Sequence, residues 1–153
     1  MKVVLFLDFD GVLHPQPCME HELFEGMDLL APVLRRFMAQ TVIVISSSWR
    51  EHHTLEELKV HFPSDLRHMV VGVTPVLQEP HENIGVVYER QREILAWLKR
   101  FRPTGIPWLA IDDWPQGFAP SCQDLLLTHY KCGIQPHDLS SLAAMLHTRI
   151  EAL

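Results

Sequence analysis

Val3-Val4-Leu5-Phe6-Leu7-Asp8-Phe9-Asp10-Gly11-Val12-Leu13 is the stretch whose reading decides the fold. Val3 to Leu7 is an unbroken apolar run rich in β-formers and followed by turn residues, which reads as a short strand buried on both faces. It runs directly into two carboxylates at i and i+2, then a glycine. Burying an unpaired carboxylate is very costly, so acids at the end of a buried strand need a compensating partner. A cation or a phosphate-handling reaction supplies one. An ordinary polar turn at Asp10-Gly11 is the competing reading, and the stretch alone does not separate the two.

Working outward, the β-branched run Val42-Ile43-Val44-Ile45 reads as a second buried strand that stops at Ser46-Ser47-Ser48-Trp49-Arg50. Between the two strands, Leu29, Leu30, Val33, Leu34, Phe37 and Met38 repeat as one helix face. Asp28 is the expected N-cap, and Pro32 fits only within a first turn. Thr54 and Glu57 form a capping box ahead of Leu55, Leu58 and Phe62, which predicts a short amphipathic helix. Met69 to Val73 is a third strand candidate, and Thr74 to Gly85, with Pro75 and Pro80, reads as a loop. A helix over about Val87 to Phe101 follows, with Ile94, Leu95, Leu98 and Phe101 on one face. Trp108 to Ile111 predicts a fourth strand, which also ends in paired acids, Asp112-Asp113. Leu125 to Leu127 is a short fifth, and Leu139, Leu142, Ala143, Leu146 and Ile150 make a closing helix started by Pro136 and Asp138.

Strands alternating with helices predict a three-layer α/β Rossmann-like fold: about five mostly parallel strands, helices on both faces, one domain over residues 1–153. Ligands bind such sheets at the carboxyl ends of the strands. Asp8 and Asp10, Ser46 to Ser48, and Asp112 and Asp113 would all lie there. Carboxylates that close repel one another unless a cation neutralises them, and an all-oxygen carboxylate set suits a hard ion such as Mg²⁺.

Composition narrows the classes. The chain is 47% apolar and 21% charged, as globular proteins are, and long enough at 153 residues to bury a core. A net charge of −6 with scattered basic residues argues against tight nonspecific nucleic-acid binding. The 3 cysteines make no C-x-x-C pair, so a reducing compartment is expected. The apolar run before Asp8 is too short for a signal peptide, and no run approaches a membrane span. A cytoplasmic protein is the expectation. The 10 histidines show no metal-ligand spacing, so zinc is disfavoured.

These residues resemble the haloacid dehalogenase-like (HAD) phosphohydrolase superfamily. Asp8-Phe9-Asp10-Gly11-Val12 is similar to its first motif, Ser46 to the second, and Asp112-Asp113 to the fourth. Ile45-Ser46-Ser47-Ser48-Trp49-Arg50 looks like the small uncapped branch found in bacterial RNA-repair fusions. The third-motif cation has two candidates, Arg90 and Arg92, of which Arg90 fits that branch better. The resemblance implies a HAD fold without a cap domain, since the gaps between motifs leave no room for one. It implies Asp8 as a nucleophile that forms an aspartyl-phosphate, and Asp10 as general acid and then base. Ser46, Ser47 and Arg90 or Arg92 would bind phosphate. Mg²⁺ would be held by Asp8, the main chain of Asp10 and Asp113, with Asp112 orienting or substituting. An open site suits a bulky phosphoester, a nucleotide or a nucleic-acid end. Trp49, Arg50 and His14 are candidate substrate contacts, set against packing for Trp49 and a solvated loop position for His14. A non-catalytic module that binds a phosphorylated partner is the alternative from another class.

Overall fold

The computed structural model describes residues 1–79 and 85–153; Pro80 and the rest of the expected loop up to residue 84 lie outside the described residues. Every residue of β1 (Val3–Leu7) is buried, and the strand lies at the centre of the sheet. It is flanked by β2 (Thr41–Ile45) and β4 (Trp108–Asp112), with β3 (Val70–Val73) and β5 (Leu125–Leu127) at the edges. The order is β3-β2-β1-β4-β5, and each pair is parallel. In this register Leu7 stands beside both Ile45 and Ile111. The next residues, Asp8, Ser46 and Asp112, therefore lie side by side at the carboxyl ends of the strands.

Parallel strands need crossovers, and helices supply them. These are α1 (Gly26–Phe37), α2 (Leu55–Lys59) and α3 (Glu89–Phe101); α4 (Pro136–Glu151) follows the last strand, and a loop with one 3-10 turn joins β4 to β5. Side chains alternate across a strand, so β1 feeds two cores. Val3, Leu5 and Leu7 join Ile43, Ile45, Leu109 and Ile111 under α1 and α4. Val4 and Phe6 join Val44 and Ala110 under α3. Three layers result. Among the described residues, the segments between strands hold α1, α2, α3, short 3-10 helices and loops, with no cap domain over the strand ends. No described helix is long and apolar enough to cross a membrane.

The helix faces differ in detail from the expected ones. In α1 the buried stripe is Met27, Leu30, Ala31, Leu34 and Phe37, while Leu29 and Met38 are exposed. The helix begins two residues before Asp28, so Asp28 lies in its first turn and Glu25 is the N-cap. Pro32 is consequently interior, where its ring withholds an N–H from the carbonyl one turn earlier. In α3 the buried residues are Glu93, Ile94 and Trp97, while Leu95 and Phe101 are exposed. Trp97 decides that rotation. Its indole meets Phe6 edge-on with centroids 5.7 Å apart, and it packs over Gly72, where a Cβ would come within 3.3 Å of the ring nitrogen.

Candidate active site

At the carboxyl ends of β1, β2 and β4, a cavity of about 600 Å³ opens over Asp8, Asp10, Arg90 and Asp113. Asp8 is 4% exposed, and its Oδ1 accepts the N–H of Phe9 at 2.8 Å. Asp8, Asp112 and Asp113 each offer a carboxylate oxygen, all within 4.8 Å of one another. Burial first, and then the charges of Asp112 and Asp113, push the Asp8 carboxyl well above its ordinary range. Burial likewise raises Asp112 to about 6 against the pull of Arg90. Gly11, at φ +73°, lets the loop pass beside Asp113; a Cβ there would fall inside that carboxylate.

Arg90 is the cation of this arrangement. Its Nε lies 3.2 Å from Asp112 Oδ2. Burial opposes its charge, but Asp112, Asp8, Glu93 and Asp113 together hold it above its usual range. Of the described residues that line the cavity, Arg90 is the only arginine or lysine. Arg92, the other third-motif candidate, donates to the Gln78 carbonyl at 3.0 Å and lies outside that lining. Neither Ser46 nor Ser47 is in that lining, but the two differ in their partners. Ser47 Oγ accepts the Trp49 N–H at 3.3 Å and caps the turn Ser48–Glu51. Ser46 Oγ is buried with no protein partner.

Asp10 is half-buried and differently held. His14 Nε2 and Trp49 Nε1 approach the same oxygen, Oδ1, at 2.7 and 3.0 Å. These hydrogen bonds, that of His14 first, keep Asp10 below the usual carboxylate range. His14 is only 2% exposed, so the solvated loop position expected for it is corrected: its ring is packed against Phe24 and bonded at both nitrogens. Arg50 is also placed away from the cavity lining. Its guanidinium donates to the carbonyls of Ser46, Ser47, Thr74 and Pro75 and pairs with Glu93. It ties the end of β2 to the loop after β3. Burial lowers Arg50 and raises Glu93 from their ordinary values, the signature of an ion pair taken out of water.

Sequence reasoning passed over Glu93, which lies between Arg90 and the core residues Ile94 and Trp97; an acid on a helix's apolar side was the available signal. It also passed over Thr128, whose hydroxyl donates to the Gly11 carbonyl at 2.8 Å, and Tyr130 on the cavity wall. Trp114 and Pro115, next after the paired acids, also line the cavity.

The residues present fit a divalent cation. Asp8, Asp112 and Asp113 offer only oxygen donors within 4.8 Å of one another, and a single guanidinium, that of Arg90, 3.2 Å from Asp112 Oδ2, stands against these three carboxyls. A parallel α/β sheet with clustered strand-end carboxylates, one buried cation and an unsatisfied hydroxyl defines a phosphoryl-handling class of protein. The comparisons give the family. The family model described as the HAD domain in Swiss Army Knife RNA repair proteins matches residues 4–139, and the chain belongs to that family. Membership places it among phosphohydrolase-type domains. No curated protein and no solved structure matches the chain significantly.

Proposed function

We propose that the chain is a Mg²⁺-dependent phosphatase that hydrolyses a phosphate monoester through an aspartyl-phosphate on Asp8. One observation carries this reading. Ser46 Oγ, at the strand end beside that of Asp8, and Arg90 Nη1, at the start of α3, are buried without hydrogen-bond partners. Buried polar groups are ordinarily satisfied, so unsatisfied donors beside a carboxylate nucleophile favour a ligand rich in acceptor oxygens. A phosphoryl group is one.

In the first half-reaction a carboxylate oxygen of Asp8 attacks phosphorus and the bond to the leaving oxygen breaks. Asp10, loaded with a proton because the negative phosphate beside it opposes the pull of His14 and Trp49, gives that oxygen the proton. Ser46 and Arg90 hold the non-bridging oxygens and meet the charge that develops on them. In the second half Asp10 takes a proton from water, the water oxygen attacks phosphorus, and the bond to Asp8 breaks, restoring the carboxylate. Mg²⁺ would be held by Asp8, the Asp10 carbonyl and Asp113, with Asp112 beneath them facing Arg90. Bound there, it neutralises the carboxylates and the phosphate oxygens.

The cavity supports a monoester with a bulky leaving group. It is open and lined in part by Trp114, Leu127 and Tyr130, with no second arginine or lysine among its described residues. A nucleotide or a nucleic-acid end fits that description, with the nucleoside on the aromatic wall. The −6 net charge makes contact with the terminal unit alone the expected mode of binding. The test is hydrolysis of p-nitrophenyl phosphate with and without Mg²⁺, by the native chain and by Asp8→Asn. Metal-dependent turnover lost in the variant supports the reading. Turnover that survives Asp8→Asn refutes it.

A further inference from the structure

A hydrogen-bonded chain runs from the backbone of Phe24 to Asp10. Phe24 has φ +62°, the left-handed region that favours glycine, although it carries a large side chain. Side chains held there persist only where their surroundings over-determine them, and such sites cluster at functional positions. Here the surroundings are specific. The Phe24 ring stacks on His61 with centroids 3.8 Å apart and planes at 14°, and it meets Phe9 and His14 edge-on at 5.2 and 5.0 Å. In this conformation the Phe24 N–H points at His14 Nδ1, 3.2 Å away.

That bond decides the histidine's tautomer. A backbone N–H can only donate, so Nδ1 must accept and carries no proton. The ring proton of the neutral imidazole is therefore on Nε2, which donates to Asp10 Oδ1 at 2.7 Å. Trp49 Nε1, a donor only, reaches the same oxygen at 3.0 Å. Two donors from separate segments thus hold one carboxylate oxygen, and neither draws on the other, Oδ2. His14 is further fixed through its own main chain, whose carbonyl accepts the Gly11 N–H at 2.9 Å.

We infer that His14, set in its Nε2–H form by the main chain of Phe24, is a positioning residue that works with Trp49 to aim Oδ2 of Asp10 at the reacting oxygens. The inference rests on the acid–base role proposed above for Asp10. It assigns His14 no proton transfer of its own. The part of the loop beyond Asp10, up to Glu25, thereby takes part in placing the acid–base group.

Two amides of different length test it. His14→Gln places an N–H donor where Nε2 stands, whereas His14→Asn places its amide near the Nδ1 position and leaves Asp10 without that donor. Assays use p-nitrophenyl phosphate and an alkyl phosphate with Mg²⁺, with melting curves to show that each variant folds. Misplacing a catalytic group by about 1 Å costs on the order of 100-fold, so His14→Asn should lose about that in kcat with KM nearly unchanged, and His14→Gln should recover most of it. A nitrophenolate leaves with little help from an acid, so His14→Asn should release a burst of it approaching one per enzyme before water attack stalls. Equal kcat in the two amide variants, or a loss confined to KM, would overturn the inference. An inactive Asp10→Asn beside a fully active His14→Asn would overturn it while leaving the phosphatase reading intact; an active Asp8→Asn would overturn that reading instead. Independently of turnover, ¹⁵N resonances of His14 should show a bare Nδ1 and a protonated Nε2, and an Nδ1–H tautomer would refute the assignment.

Discussion

Stabilisation by Mg²⁺ should grow as pH rises, by an amount that the buried acids set. Asp112 is raised from 3.8 to about 6 by burial, and Asp8 is displaced the same way. In a free chain Asp112 has already released its proton between those values, while the folded protein still holds it. Its contribution to folding stability is therefore fully present below pH 3.8 and is lost as pH rises to about 6. Two units at about 1.4 kcal/mol each leave the metal-free protein carrying a penalty of about 3 kcal/mol at neutral pH. Mg²⁺ binds the charged form and relieves it. At pH 5 Asp112 still holds its proton, so the cluster offers the ion one negative charge fewer beside Asp8 and Asp113, and restoring that charge costs on the order of 1 kcal/mol. For a chain of this size that is a reduction of about 2 to 4 °C in the metal-induced rise of Tm, and Asp8 adds to it. Melting curves with and without saturating Mg²⁺ from pH 5 to pH 8 read it directly. Exposed groups titrate alike in both and drop out of the difference. A metal-induced shift as large at pH 5 as at pH 8 would refute the reasoning.

Other expectations follow from single contacts. Gly11→Ala would force a side chain into the Asp113 carboxylate at a backbone angle of +73°; strain of about 1–2 kcal/mol and a weakened response to Mg²⁺ in the melting assay are expected. Arg50→Ala strips the buried Glu93 of its partner and several carbonyls of their donor, and should destabilise by about 3–5 kcal/mol in urea unfolding. Arg90→Ala should cost about 100- to 1000-fold in kcat, as loss of a preorganised donor does, whereas Arg92→Ala should leave turnover nearly unchanged. The reverse ranking would exchange their roles.

The strands and the convergence of their acids were legible in the sequence because both are local. An unbroken apolar run means a doubly buried strand, and the residue after it must sit at the sheet's edge whatever the rest of the chain does. Helix rotation was less legible. In α1 and α3 the apolar residues wrap far enough around that Leu29 and Leu95 looked as buried as Leu30 and Ile94, and only packing against the sheet distinguishes them. The least legible parts depend on partners remote in sequence. Trp49 reaches Asp10 across 39 residues, and Arg50 reaches Glu93 across 43. No periodicity or spacing in the chain encodes such meetings. His14 misled for a related reason: a histidine between a strand and two prolines has the local look of a solvated loop, while its burial comes from Phe24 and Trp49 folding over it.

The central claim, that Asp8 becomes covalently phosphorylated, is tested most directly by rapid acid quench during Mg²⁺-supported turnover of an aryl phosphate, followed by mass analysis of the peptide containing Asp8. The account predicts one added phosphoryl group on that peptide, released by hydroxylamine as an acyl phosphate is and missing from Asp8→Asn. Steady turnover with the Asp8 peptide unmodified at every quench time, and with Asp8→Asn as fast as the native chain, would contradict it.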